Sequence, residues 1–145
     1  MILETATALV CMAHAIYFEA RGESTVGQIA VAQVIMNRVS DHRFPDSVCD
    51  VVTDGLRYTW NDQIIVRNKC AFSFYCDGKL EHITDDDAYY WAEEISDAIL
   101  NDSIIIDLTE GATHYHAYYV KPYWSNAFTK TVRINNHIFY RWEMP

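Results

Sequence analysis

Basic residues are scarce in this 145-residue chain: 11 lysines and arginines stand against 20 aspartates and glutamates, a formal charge of −9. The few that occur are scattered, so the electrostatic footprint of a phosphate-backbone binder is missing and no nucleic-acid partner is expected. Long apolar runs are missing as well. No stretch reaches the roughly 18 residues that a membrane-spanning helix needs, which excludes a helical membrane anchor. The opening MILETATALVCMAHAIYF has no positive region and carries Glu4, so it does not read as a secretory signal. Cysteine is sparse: Cys11, Cys49, Cys70 and Cys76 form no C-x-x-C pair, which removes the zinc-ribbon pattern and argues against a disulfide scaffold. Cys70 and Cys76 bracket AFSFY; they are placed to pair in an oxidising compartment, but two reduced thiols in a loop are the reading preferred on the compartment prior. No repeat or low-complexity segment occurs. Half of the residues are hydrophobic, enough for a substantial core, and a single domain over residues 1–145, a soluble monomer, is expected.

The order of elements reads as helical first and β-rich last, an α+β arrangement. From Glu4 to Arg21 the apolar positions Ala6, Leu9, Val10, Ala13, Ile16, Tyr17 and Ala20 recur at helical spacing, and Gly22 supplies a stop. Thr25 with Gln28 has the form of a capping box. The segment Val26 to Val39 that follows is apolar on nearly every side, as a central helix should be. Ser47 offers a cap for a short helix carrying Val48, Val51 and Val52, ending near Gly55. Leu56 to Lys79 has no clear period and reads as a long binding loop. Asp85 to Asp87 open a further helix with an apolar stripe from Ala88 to Ile99, the acids at the positive end of its dipole. Beyond Asn101 the segments THYHAYYV and KTVRINNHIFYRW read as strands, the second folded at Asn135-Asn136.

Within YFEARGESTVGQ, Glu19 falls beside the apolar stripe of the first helix, next to Met12 and Ile16 and in the last turn before Gly22. Apolar neighbours and the negative end of the helix dipole both disfavour its charged form. A glutamic acid held protonated near neutral pH can donate a proton to a leaving oxygen, as glycoside cleavage requires. A helix-edge glutamate paired with Arg21, or simply solvated, fits the same spacing.

The stretch IYFEARGES-x-x-GQIAVAQVIMNRV, with Phe44-Pro45 shortly after it, resembles the signature of the SleB-like, spore-cortex-lytic cell-wall hydrolases. Further pieces follow in the family's order over residues 8 to 141: Cys70-Ala71-Phe72-Ser73-Phe74, then Ala112-Thr113-His114-Tyr115-His116 with Pro122 and Trp124, then His137-Ile138-Phe139-Tyr140. Ala71 stands where the family often has Gln. The resemblance implies a lysozyme-like or lytic-transglycosylase-like fold, mainly α-helical with a C-terminal β-hairpin region. It implies cleavage of peptidoglycan between N-acetylmuramic acid and N-acetylglucosamine, without a cofactor, with Glu19 as the acid. One carboxyl can serve a lytic transglycosylase twice, whereas a hydrolysing muramidase needs a second acid, for which Glu23, Asp62 and Asp77 are available.

Phe72 and Ser73 in the long loop, with Tyr115 and His116 on the strand and Glu23 beside the acid, are the expected substrate contacts, because aromatic faces and short polar groups suit sugar rings. His114-x-His116 also has metal-ligand spacing, the basis of an alternative reading as a metal-dependent amidase, but no third ligand is evident and no metal is expected. Gln28 serves as a cap or as a substrate contact. Trp60, Trp91, Trp124 and Trp142 are expected in the core or at the cleft rim. A compact wall hydrolase without an export signal resembles a phage endolysin, made in the host cytoplasm and acting on the cell wall.

Overall fold

The computed structural model describes residues 7–79 and 81–143. Helix α1 (Ala8–Ala20) begins where the Thr7 side chain accepts a hydrogen bond from Val10 N. The expected start at Glu4 to Ala6 lies outside the described residues. Every residue from Cys11 to Tyr17 is buried, so α1 is enclosed on all sides rather than along one stripe. Three further helices and the side chains Phe72 and Phe74 surround it.

Helix α2 (Thr25–Val39) is capped by Ser24, whose hydroxyl accepts from Gly27 N at 3.2 Å. The cap is therefore one residue earlier than Thr25. Gln28 folds back instead, its Nε2 donating to Arg21 O and Glu23 O and so closing the α1–α2 turn. The central position expected for this helix is observed: Ala32 and Ile35 join the helical core, while Ala30 and Val34 pack against Ala112 and Phe139 on the β side. Polar groups inside such a helix are costly unless bonded, and here one loop satisfies them. Gln33 donates to Ile106 O at 2.7 Å and accepts from Leu108 N. Asn37 donates to Asp107 and to Ala112 O, and Arg38 Nε donates to Thr113 O at 2.7 Å. Asp107 in turn accepts from Thr109 and from Gly111 N. These bonds fix the chain just before it enters the sheet.

Helix α3 (Val48–Val52) is capped by Ser47, and helix α4 (Asp86–Leu100) by Asp85, whose carboxylate accepts from Ala88 N. Strands β1 (Gly55–Tyr58) and β2 (Asn61–Cys70) form an antiparallel hairpin inside the stretch expected to be a loop. The period was missing because the hairpin covers no core. Leu56 and Trp60 are exposed, and the register is irregular, so alternation carries little signal. Strands β3 (His114–Ala117), β4 (Thr129–Ile134) and β5 (His137–Arg141) form an antiparallel sheet in the order β3-β5-β4. The β4–β5 connection turns at Asn135-Asn136 as expected, with Asn135 at φ 52°, a left-handed conformation that asparagine tolerates.

The cysteines depart from expectation. Cys11 is bonded to Cys49, tying α1 to α3, and Cys70 is bonded to Cys76. Residues 38 apart in sequence give no local sign that two helices will bring their thiols together. The second bond closes the turn that carries Phe72 and Ser73.

Candidate active site

Glu19 lies in the last turn of α1, half-buried, on a helix whose Met12 and Ile16 are fully buried in the core. Burial lifts its carboxyl to about 7, against the opposing pull of the Arg38 guanidinium. Desolvation is thus the dominant cause.

Two hollows meet at this side chain. One, of about 230 Å³, is lined by Glu19, Arg38, Ala71, Phe72, Ser73 and Tyr115. The other, of about 270 Å³, is lined by Glu19, Ala20, Gly22 and Glu23 on one side and by Ala117, Tyr119, Asn136 and His137 on the other. Each alone is smaller than the roughly 300 Å³ at which sites for small molecules begin; Glu19 lines both, and the two open hollows on either side of it make up the candidate groove. Another hollow, between α2 and the segment following α4, contains Asp107, the loop clamp described above.

The walls come from distant parts of the chain, each held in place locally. Cys70–Cys76 and the hydrogen bond from Ala71 N to Asp54 O fix the turn of Phe72 and Ser73. Phe72 is buried beneath the Arg38 guanidinium, 5.7 Å from its ring, whereas Ser73 is exposed at the lip. Ala71 presents only a methyl group, leaving the hollow wider there. Tyr115 points from β3 toward the α2 side and packs on Phe139. Burial, with the nearby Glu19 charge, pushes its phenol well above the ordinary range, so the hydroxyl stays a donor.

His116 is not brought into this groove. Neighbouring strand residues point to opposite faces, and with Tyr115 facing Glu19, His114 and His116 face away. His116 Nε2 pairs with Tyr140 Oη at 2.8 Å and its Nδ1 with Ala117 O. His114 meets Thr113 Oγ1 and lies among Phe44, Trp124, Phe128 and Trp142. Burial, with Arg38 and Arg43 nearby, lowers its pKa to about 4. Among the described residues, no three His, Cys, Asp or Glu side chains converge as metal ligands.

Glu23 lines the second hollow but is not freely solvated. Its side chain is 9% exposed, and its two oxygens accept from Asn136 N and Asn136 Nδ2 at 3.2 and 3.1 Å. It pins the β4–β5 turn to the α1–α2 turn. Asp62 and Asp77 line neither hollow. The tryptophans are also placed differently from expectation: none lines the groove, Trp60 is 72% exposed at the hairpin tip, and Trp124 and Trp142 surround His114.

Sequence reasoning passed over Arg38, Tyr119, Asn136 and His137. Arg38 was visible as the lone charge in an otherwise uncharged α2. The others depend on how the β4–β5 turn docks.

Helices packed around a buried α1, small antiparallel sheets and a half-buried acid at the join of two hollows define an α+β, lysozyme-like frame. The chain belongs to the cell wall hydrolase family, which it matches over residues 22–140, a span beginning just after Glu19. Among solved structures, it is similar to the catalytic domain of the germination-specific lytic transglycosylase SleB from Bacillus anthracis, at 28% identity and a TM-score of 0.68, covering 92% of this chain and 93% of that one. The catalytic domain of the Bacillus cereus SleB protein is similar at 27% identity and a TM-score of 0.65, covering 92% and 89%. The spore cortex-lytic enzyme of Halalkalibacterium halodurans is 54% identical over 48 residues, 33% of this chain and 14% of that protein. That of Bacillus subtilis is 48% identical over 48 residues, 33% and 16%. The similarity thus spans about a sixth or less of these full-length relatives.

Proposed function

We propose that this chain cleaves the glycan strand of bacterial peptidoglycan between N-acetylmuramic acid and N-acetylglucosamine, as a lytic transglycosylase with Glu19 as general acid. The observation that carries the reading is the carboxyl of Glu19, raised to about 7 by burial at the floor of an open groove. Such a group is substantially protonated at neutral pH and still acidic enough to give its proton to the glycosidic oxygen. Arg38 then steadies the carboxylate left behind. Tyr115 and Ser73 offer hydroxyls on one side of the acid, and Tyr119 offers an exposed aromatic face on the other. A 1,6-anhydro product is favoured over hydrolysis because no second carboxylate is free in the groove: Glu23 is committed to Asn136. The two disulfides suit action outside the reducing cytoplasm, at the wall.

Purified peptidoglycan incubated with the enzyme should release soluble muropeptides with 1,6-anhydro ends, and EDTA should leave the rate unchanged. Reducing ends in their place would make the enzyme a muramidase. Cuts at the lactyl-peptide bond, lost in EDTA and restored by zinc, would make it an amidase. Binding without release would make it a wall-binding module.

A further inference from the structure

The face of the β3-β5-β4 sheet turned away from Glu19 carries a hollow of its own, of about 370 Å³, within the size range of sites for small molecules. Alternation along the strands builds it. Ala117 and Tyr119 line the groove at Glu19, whereas His116, Tyr118 and Val120 line this hollow; on β5, His137 takes the groove and Ile138 the hollow. The two sites therefore share one backbone as their partition, and at Tyr119, Val120 and Lys121 they meet over consecutive residues. The floor is fixed: His116 Nδ1 donates to Ala117 O at 2.7 Å, its Nε2 pairs with Tyr140 Oη at 2.8 Å, and the two rings stack with centroids 5.2 Å apart. Charge sets this hollow apart. The hollows at Glu19 and at Asp107 hold acids, and the chain as a whole carries −9. Here Lys121 and Lys130 stand on the lining, and none of the lining residues is acidic. Neither lysine is in an ion pair among the described residues. Arg133 adds a third cation at the rim, its guanidinium 4.6 Å from the centre of the Tyr118 ring.

We propose that this hollow binds a carboxylate of the peptide attached to muramic acid while the glycan strand lies in the groove. The inference rests on the peptidoglycan reading above and adds a peptide subsite to it. The amide-linked sugars of the strand are uncharged, so the anionic groups of the substrate lie on its peptides, whose chain ends and acidic side chains are carboxylates. The reach is sufficient. An extended peptide advances about 3.3–3.6 Å per residue, so a stem of three residues spans about 10 Å, whereas the Cα atoms of Tyr119 and Lys121 are two steps, at most about 7.6 Å, apart. A peptide leaving the groove over Tyr119 therefore arrives at Lys121 within its first few residues. Lysine ammonium groups on flexible stems meet a carboxylate as mobile point charges, and Val120 and Ile138 on the same lining take the methyl and methylene parts of the peptide. No bond changes at this site; its contribution is to hold the strand and to favour strands that carry peptides.

The test compares soluble glycan strands that keep their peptides with strands stripped by an amidase, binding each to Glu19→Gln protein so that affinity is read apart from turnover. Peptide-bearing strands should bind about 5- to 10-fold more tightly at low salt, the worth of two exposed ion pairs, and the preference should shrink as added salt screens it. Lys121→Gln with Lys130→Gln should reduce the preference to about 2-fold or less, and Lys121→Glu with Lys130→Glu should invert it. Lys69→Gln with Lys79→Gln, an equal change of net charge elsewhere on the chain, should keep it. In the active enzyme the Lys121→Gln, Lys130→Gln pair should raise KM on peptide-bearing strands rather than lower kcat. Equal or weaker binding of peptide-bearing strands overturns the proposal, as does a preference that survives at Lys121 and Lys130 or is lost equally at Lys69 and Lys79. A preference set by attached anionic wall polymer, with none for peptide, overturns it too. If neither strand binds, the peptidoglycan reading itself fails, and this proposal with it.

Discussion

Glu19 should weaken the fold it serves. A carboxyl that is ordinary when unfolded, near 4.5, and raised to about 7 when folded binds its proton more tightly in the native state. The stabilising effect of that proton is fully present below pH 4.5 and is lost as pH rises to about 7. The difference corresponds to about 3 kcal/mol, in a protein whose whole stability is of order 10 kcal/mol. Glu19→Gln replaces the acid with a neutral amide of the same shape and removes this pH dependence. The variant should match wild type near pH 4 and exceed it by about 3 kcal/mol near pH 8, or roughly 10 °C in melting temperature for a chain of this size. Denaturation followed by circular dichroism at both pH values, disulfides intact, measures the gap. A difference between the proteins that is constant with pH would show that Glu19 titrates normally, and the argument from burial would fail.

Turnover should decline as pH rises through about 7 and Glu19 loses its proton, and Arg38→Met, which removes the charge favouring ionisation, should carry that decline to higher pH. A limb that stays in place or moves down contradicts the assigned role of Arg38. Removing the Cys11–Cys49 bond, which spans 38 residues, should cost about 4 kcal/mol, against about 2 for Cys70–Cys76, which spans 6. Urea unfolding of the paired Cys→Ala variants checks the order, and the Cys70–Cys76 variant should also lose activity because its turn forms a groove wall. Gly27→Ala would place a methyl 3.0 Å from Glu23 Cβ and 3.1 Å from Asn135 Nδ2. The crowding costs about 1–3 kcal/mol, outweighing the gain of about 1 from better helix propensity. A raised melting temperature with full activity would show that this turn yields freely.

What could be read directly from the residues were elements that carry their own periodicity and caps. The helices around Glu19, Ile35 and Ile95 follow helical spacing, and the Asn135-Asn136 turn is local chemistry. The β1–β2 hairpin escaped because its side chains cover nothing, so no alternation is imposed on them. The disulfides escaped for a different reason, since Cys11 and Cys49 meet only through helix packing. In the candidate site, the apolar flank of Glu19 was legible from α1 alone. Arg38, Tyr119 and His137 reach the groove through docking across elements far apart in sequence. His116 was misplaced by treating β3 as though adjacent residues shared a face: Tyr115 takes the groove, and His116 must then point away. The tie of Glu23 to the β4–β5 turn was hidden because its partner, Asn136, lies 113 residues further on.

The most direct test of the account is the rate of Glu19→Gln on purified peptidoglycan near neutral pH, with mass analysis of the released ends. The variant should fold and bind sacculi, yet release muropeptides about 10² to 10⁴ times more slowly than wild type, the usual worth of a general acid. Release within a few-fold of the wild-type rate would contradict the assignment of Glu19 as the group that protonates the leaving oxygen.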